Sequence, residues 1–252
     1  MIWWTILIVL GFLAVHLFKM ARLYLVLMEH KISFGRFVLL YFRTTFINLI
    51  IPFKLGEIYR VEEIGRETKV WQVGLLSVLV DRYFDMAALL MLLLPFDLLF
   101  RGGLSPITLV LLLLIAAAGI LYLAIPSSYA YLNRYLIIRK SSSRSLAALR
   151  GLDMIKKWYD FTKNLITGRS ALIIFASLLG WISEVVTLKA LASYKGLAFG
   201  LGDFASYIEA IFMNGNSQIL TVYTGTTALA FLGLTVVGYI IKLCFNLRKG
   251  KA

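Results

Sequence analysis

Residues 105–125 read SPITLVLLLLIAAAGILYLAI, twenty-one residues without an Asp, Glu, Lys or Arg. A helix that crosses a bilayer needs about 17–25 mostly apolar residues. Lipid offers nothing to an open backbone N–H or C=O, so the hydrogen bonds must close within the segment. Outward from this run the texture recurs: residues 2–18 and 226–241 also contain none of those four residue types. Of the 252 residues, 60% are apolar and 15% charged, against about a quarter charged in a soluble domain. Apolar segments fall at 3–28, 33–52, 73–96, 105–125, 170–192, 203–222 and 226–246. The expectation is an all-α polytopic membrane protein, with 1–252 forming a single transmembrane domain.

Charge placement sets the topology. The net charge is +13, and 21 of the 26 Lys and Arg lie in 19–36, 54–72, 126–169 and 242–252. They flank apolar runs, as the positive-inside rule requires, so nucleic acid is not an expected partner. The 126–169 segment holds nine basic residues against Asp153 and Asp160, and is read as a cytoplasmic basic loop. Within it, residues 141–166 place Leu146, Leu149, Leu152, Ile155, Trp158, Leu165 and Ile166 at near-helical spacing beside Arg150, Lys156, Lys157 and Lys163. That pattern suits an amphipathic helix lying in the interface, or a docking site for a partner protein.

Counting spans outward from this loop creates two conflicts. If 33–52 crossed fully, Lys19, Arg22, Lys31 and Arg36 would lie outside. If 203–222 and 226–246 both crossed, so would Lys242, Arg248, Lys249 and Lys251. Both conflicts vanish if 33–52 and 203–222 are re-entrant hairpins entering from opposite faces, the second broken at Asn214-Gly215-Asn216-Ser217-Gln218. About five full spans plus two hairpins then remain, with the N-terminus outside and the C-terminus cytoplasmic. Opposed hairpins are the pattern of an inverted repeat. The alternative is seven plain spans that break the charge bias on one side.

Cys244 is the only cysteine, so no intramolecular disulfide can form, and His16 and His30 lack neighbours at metal-ligand spacing. Neither metal nor cofactor is expected. Met1-Ile2-Trp3-Trp4 lacks the basic n-region of a signal peptide, and the Trp pair reads as an interfacial anchor on a retained first span.

Two adjacent patterns carry the candidate chemistry. In Pro52-x-x-x-Gly56-Glu57-x-x-Arg60 the last two residues share a face if a helix begins there. A helix cap with a surface ion pair would look the same. In Asp81-Arg82-x-x-Asp85 the two carboxylates stand one turn apart inside an apolar segment. Each charge costs roughly 2.5–3.5 kcal/mol at the bilayer centre, so the three must face protein or a wet cavity. A structural ion-pair cluster and a functional site both satisfy that requirement. Arg43, Thr44, Thr45 and Asn48 add polarity inside 33–52. Glu184 and Glu209 are lone carboxylates. Tyr223, Thr224, Thr226 and Thr227 could line a polar path or simply bond helix to helix.

The run Phe46-Ile47-Asn48-Leu49-Ile50-Ile51-Pro52-Phe53-Lys54-Leu55-Gly56-Glu57-Ile58-Tyr59-Arg60, followed by Val80-Asp81-Arg82-Tyr83-Phe84-Asp85, resembles the membrane region of bacterial lysylphosphatidylglycerol synthases and their stand-alone relatives. The similarity covers about 19–96. The second half departs from it, with Asn, Gly and Thr over 214–227 where relatives carry a Pro-Gly-Gly-rich motif. The resemblance implies a flippase in the plasma membrane of a prokaryote, moving a phospholipid, aminoacyl lipid or isoprenoid-linked glycolipid. The substrate-binding set would be Arg43, Asn48, Glu57, Arg60, Asp81, Arg82 and Asp85, with Asn214, Asn216 and Gln218 as a gate. The implied partner is a membrane lipid with an anionic or zwitterionic headgroup; a partner enzyme and a homo-oligomer are further expectations. The rival is a non-transporting scaffold for a lipid-modifying or glycosylation enzyme. Enzymatic activity is not expected, because no nucleophile–base pair or cofactor loop is visible.

Overall fold

The computed structural model describes residues 2–30, 32–50, 55–139, 143–200, 203–212 and 218–249. Among the described residues nine α-helices follow in order: α1 (Ile2–Leu27), α2 (Phe34–Ile50), α3 (Gly56–Thr68), α4 (Trp71–Phe96), α5 (Pro106–Arg139), α6 (Ser143–Ile166), α7 (Ser170–Lys195), α8 (Asp203–Phe212) and α9 (Gln218–Lys249). No strand occurs among the described residues. Four stretches, Trp3–His30, Trp71–Arg101, Pro106–Ile138 and Ser170–Lys195, are long and apolar enough to cross a membrane. The chain is a multi-pass membrane protein. Trp3 and many Leu and Ile of α1 and α5 stay exposed because lipid, not water, is the solvent there.

α4 is the hub, packed by α1, α3, α5, α6, α7 and α8. α1 lies antiparallel along α7: Gly11 meets Thr187 at one end and Gly180 meets Phe18 and Lys19 further along. The end where α1 finishes and α4 and α7 begin is called here the basic end. At that end Arg169 donates to the Leu25 carbonyl at 3.0 Å and pairs with Glu29. At the opposite end Ser105 N–H and the Thr108 hydroxyl both donate to Asp97, at 2.7 and 2.6 Å, which closes the α4–α5 turn.

α2 and α3 form a paired insertion. Tyr24 of α1 contacts Phe34 and Phe37, while His16, two turns earlier, contacts Tyr41. α2 therefore climbs from the basic end towards the middle of the bundle. α3 returns beside it, with Gly56 against Asn48 and Arg60 against Thr45. It ends at Thr68, and α4 restarts at the basic end. Two glycines permit this packing. A Cβ on Gly56 would collide with the Asn48 backbone, and one on Gly74 with the Val61 carbonyl. α2, α3 and α4 can approach so closely only because both side chains are missing.

Several sequence expectations change. Residues 34–50 are one unbroken helix, α2, and not both limbs of a hairpin; the helix that packs back beside it is α3, 56–68. Pro52 falls between α2 and α3 in the chain, outside the described residues. The 126–169 segment is helical rather than loop-like in its described part. α5 runs through Pro126 to Arg139 and α6 packs back against it. A proline removes one hydrogen bond, and continuing the helix still satisfies the rest of the backbone. The expected separation of 203–222 from 226–246 is also absent, because α9 is continuous from Gln218 to Lys249. α8 and α9 are nonetheless distinct helices; Asn214 and Asn216 fall between them, outside the described residues. Gln218 opens α9 and is exposed.

Candidate functional site

Between the apolar cluster of α1–α4 at the basic end and the larger cluster of α4, α5, α7, α8 and α9 lies a polar cavity of about 170 Å3. Its walls are His16, Lys19, Arg22 and Leu23 of α1, Tyr41, Thr45 and Asn48 of α2, Arg60 of α3, Asp81, Arg82 and Asp85 of α4, and Tyr223 and Thr227 of α9. Helical spacing explains the selection. Positions 41, 45 and 48 share one face of α2, and 81, 82 and 85 cluster on one side of α4.

Arg22 is the centre of this cavity, at 2% exposure. Its Nε and Nη2 donate to the two Asp81 oxygens at 2.6 and 3.0 Å, and its Nη1 donates to Asp85. Ser177 of α7 lies 3.5 Å from the same Nη1. One guanidinium thus satisfies both carboxylates, which is the bidentate geometry that makes Arg rather than Lys suited to a buried pair. Trp181 Nε1 donates to the Asp85 carbonyl at 3.1 Å and fixes α7 against α4 at this level.

Arg82 plays a different part. It is 36% exposed, and its contacts to Asp81, Asp85 and Glu57 are longer, 3.2, 3.4 and 3.5 Å. Arg60 is buried and similarly loose, 3.4 Å from both Glu57 and Thr45. Asn48 bridges the two limbs by donating to Glu57 at 3.2 Å. The Nε groups of Arg60 and Arg82 and the Oδ1 of Asn48 are buried without a hydrogen-bond partner. An unpaired buried donor costs about 1–3 kcal/mol, more for a charged one. Two cationic donors in that state beside a cavity mark where an acceptor would be stabilised.

A second ionic pair borders the cavity. Lys19 contacts Glu184 at 2.7 Å and sits 5.3 Å from the Trp181 ring. Tyr207 of α8 donates to the other Glu184 oxygen at 3.2 Å. Glu184 thereby ties α1, α7 and α8 together.

Of the sequence-derived candidates, Asn48, Glu57, Arg60, Asp81, Arg82 and Asp85 come together here. Arg43 does not. Its side chain is 59% exposed, 3.3 Å from Glu63 and packed over the Tyr59 ring. It occupies the face of α2 opposite Tyr41 and Thr45, two residues being roughly 200° apart on a helix. Gln218 is exposed and absent from the cavity lining. Arg22, Lys19 and Tyr223 complete the site. Arg22 had been counted only as a flanking charge, yet a signal was available: Asp81, Arg82 and Asp85 sum to −1, Glu57 and Arg60 to zero. A buried set needs one more cation, and Arg22 sits in a neighbouring apolar run.

The family model described as the lysylphosphatidylglycerol synthase TM region matches residues 1–239. Comparisons with curated proteins and with solved structures return no match. The chain belongs to that family, and a membrane lipid-related function follows.

Proposed function

From that membership and the geometry of the cavity, we propose that the protein is a lipid flippase whose polar cavity receives a phosphate-bearing headgroup. The observation that carries this reading is the pair of unsatisfied guanidinium donors on Arg60 and Arg82. Asp81 and Asp85 are held by Arg22, so they orient the site and do not compete for the substrate's cationic part. Glu57, at 3.5 Å from Arg82 and 3.4 Å from Arg60, would exchange those weak contacts for the phosphate and be freed to accept an amine. That exchange suits a zwitterionic or aminoacylated headgroup. The basic end faces the cytoplasm in this reading, so the α2–α3 pair is a re-entrant hairpin open to the cytoplasmic leaflet, and the N-terminus lies outside. The break between α8 and α9 would serve as the opposing gate.

The test is reconstitution of the purified protein in liposomes carrying fluorescent phosphatidylglycerol, phosphatidylcholine or aminoacyl-phosphatidylglycerol. Dithionite quenching should reveal transbilayer movement of at least one lipid, and Arg60→Gln with Arg82→Gln should abolish it while the protein remains folded. Absence of movement for every lipid, together with co-purification of an enzyme, would establish the scaffold reading instead.

A further inference from the structure

The far face of α4 carries a second constellation. Val80 and Phe84 point away from the polar cavity and, with Ala118 and Gly119 of α5 and Ile166 of α6, line an apolar groove of about 350 Å3. Leu76 continues this lining into a cleft of about 560 Å3 nearer the basic end, walled by the start of α4 and by α6. There the chemistry changes. Arg150 and Lys157 border the cleft, seven residues apart and so two turns apart on one face of α6. Neither has an ion-pair partner among the described residues. The neighbouring carboxylate, Asp153, accepts from Tyr129 at 2.9 Å.

We propose that this groove and cleft form a binding site for an anionic phospholipid, separate from the polar cavity. One acyl chain lies in the groove between α4, α5 and α6, and the headgroup phosphate meets Arg150 and Lys157. Three observations support a lipid over other occupants. The apolar part runs along α4 and α5, both long and apolar enough to span a membrane, and the basic part lies towards the basic end, which is the polarity of a phospholipid. The two cations have no ion-pair partner among the described residues. Trp158 lines the cleft between them and the groove, at the depth where amphipathic aromatic rings settle in an interface. Basic side chains at a membrane surface attract anionic lipid individually, and a groove adds selectivity for a chain bound in one place.

The inference does not depend on the flippase reading, and its experiment separates the two. The full chain, purified in detergent, is titrated with phosphatidylglycerol or phosphatidylcholine and the retained lipid counted by native mass spectrometry. Phosphatidylglycerol should be retained about tenfold better. Arg150→Gln with Lys157→Gln should remove that preference. Gly119→Leu should weaken both lipids about tenfold by filling the groove. The position is open enough to accept a side chain, the nearest atom to a new Cβ being the Tyr83 hydroxyl at 3.7 Å. Arg43→Gln should leave this retention unchanged, since its exposed side chain lines neither the polar cavity nor the groove and cleft. Equal retention of phosphatidylglycerol in wild type and both groove variants would overturn the proposal. So would a second protein chain that is released by Gly119→Leu, because the groove would then be a protein interface.

Discussion

The two helix pairs α2–α3 and α8–α9 each contribute to the wall of the polar cavity and differ in chemistry. The first has limbs of 17 and 13 residues and brings Asn48 and Arg60 to the cavity wall, with Glu57 paired to both at 3.2 and 3.4 Å. The second has limbs of 10 and 32 residues and offers hydroxyls: Tyr223 and Thr227 at the cavity, and Tyr207 on Glu184. Apart from Glu184 of α7, the ions come from α1, α3 and α4. One insertion lines the cavity with charge, which the proposed function assigns to a headgroup, and the other with hydroxyl groups whose loss leaves no ion unpaired. Substitutions in the first region should therefore damage stability and transport in separable ways, while those in the second should act on transport alone.

The largest effect should come from Arg22→Met. It strips both carboxylates of α4 of their principal partner, and breaking a buried pair in this way costs about 3–5 kcal/mol. Thermal unfolding in detergent should show a collapse of stability, far beyond that of Arg82→Met. Adding Asp81→Asn and Asp85→Asn to Arg22→Met should restore much of it, because neutral partners need no counter-ion. Equal damage from Arg22→Met and Arg82→Met would mean that the division of labour drawn here between the two arginines is wrong.

Next in size is Gly74→Leu. The side chain would have to occupy the place of the Val61 carbonyl, and overpacking of this kind costs typically about 1–3 kcal/mol. Because α3 must move away from α4, Arg60 moves with it, and lipid movement in liposomes should fall along with stability. Arg82→Lys isolates the other half of the behaviour. It keeps the charge and loses the planar fork, so the unfolding temperature should stay near wild type while flipping falls about tenfold. Normal flipping would return Arg82 to a purely structural role.

The path of the first insertion has its own test. In a Cys244→Ser background, single cysteines at Ile32 and Lys69 should both label from the basic-end side of the membrane, since α2 leaves from that end and α3 comes back to it. Labelling from opposite sides would replace the hairpin by a full span. The sequence left 33–52 and 203–222 open between re-entrant hairpins and plain crossings, and favoured the hairpins. The conflict of Lys31 and Arg36 with the charge rule carried that information. It could not place the turn, because apolarity is continuous up to Ile51 and the returning limb, Gly56–Thr68, is polar enough to resemble a surface loop. Its burial depends on α2 and α4, which composition along a single segment does not report. The same limit hid the continuity of α9 and the extension of α5 through Pro126.

The smallest expected effect is that of Arg43→Ala, and it bears on how the site was read. Arg43 lies in the same apolar segment as Thr45 and Asn48, so membership of that segment alone puts it in the site. Rotation about the helix takes it out again. Tyr41, Thr45 and Asn48 recur at intervals of four and three, which is one face, and residue 43 falls on the other. The structure agrees: Arg43 is 59% exposed and its one carboxylate partner, Glu63, is 3.3 Å away. Exposed pairs of this kind contribute about 0–1 kcal/mol. Arg43→Ala should shift the unfolding temperature by no more than a degree or two and leave headgroup flipping at the wild-type rate. A strong flipping defect in a well-folded Arg43→Ala protein would show that the outer face of α2, and not only the face towards the cavity, meets the lipid. The entry route would then pass over Tyr59 and Glu63, and the contrast between the two insertions would lie in their surfaces as well as in their cavity walls.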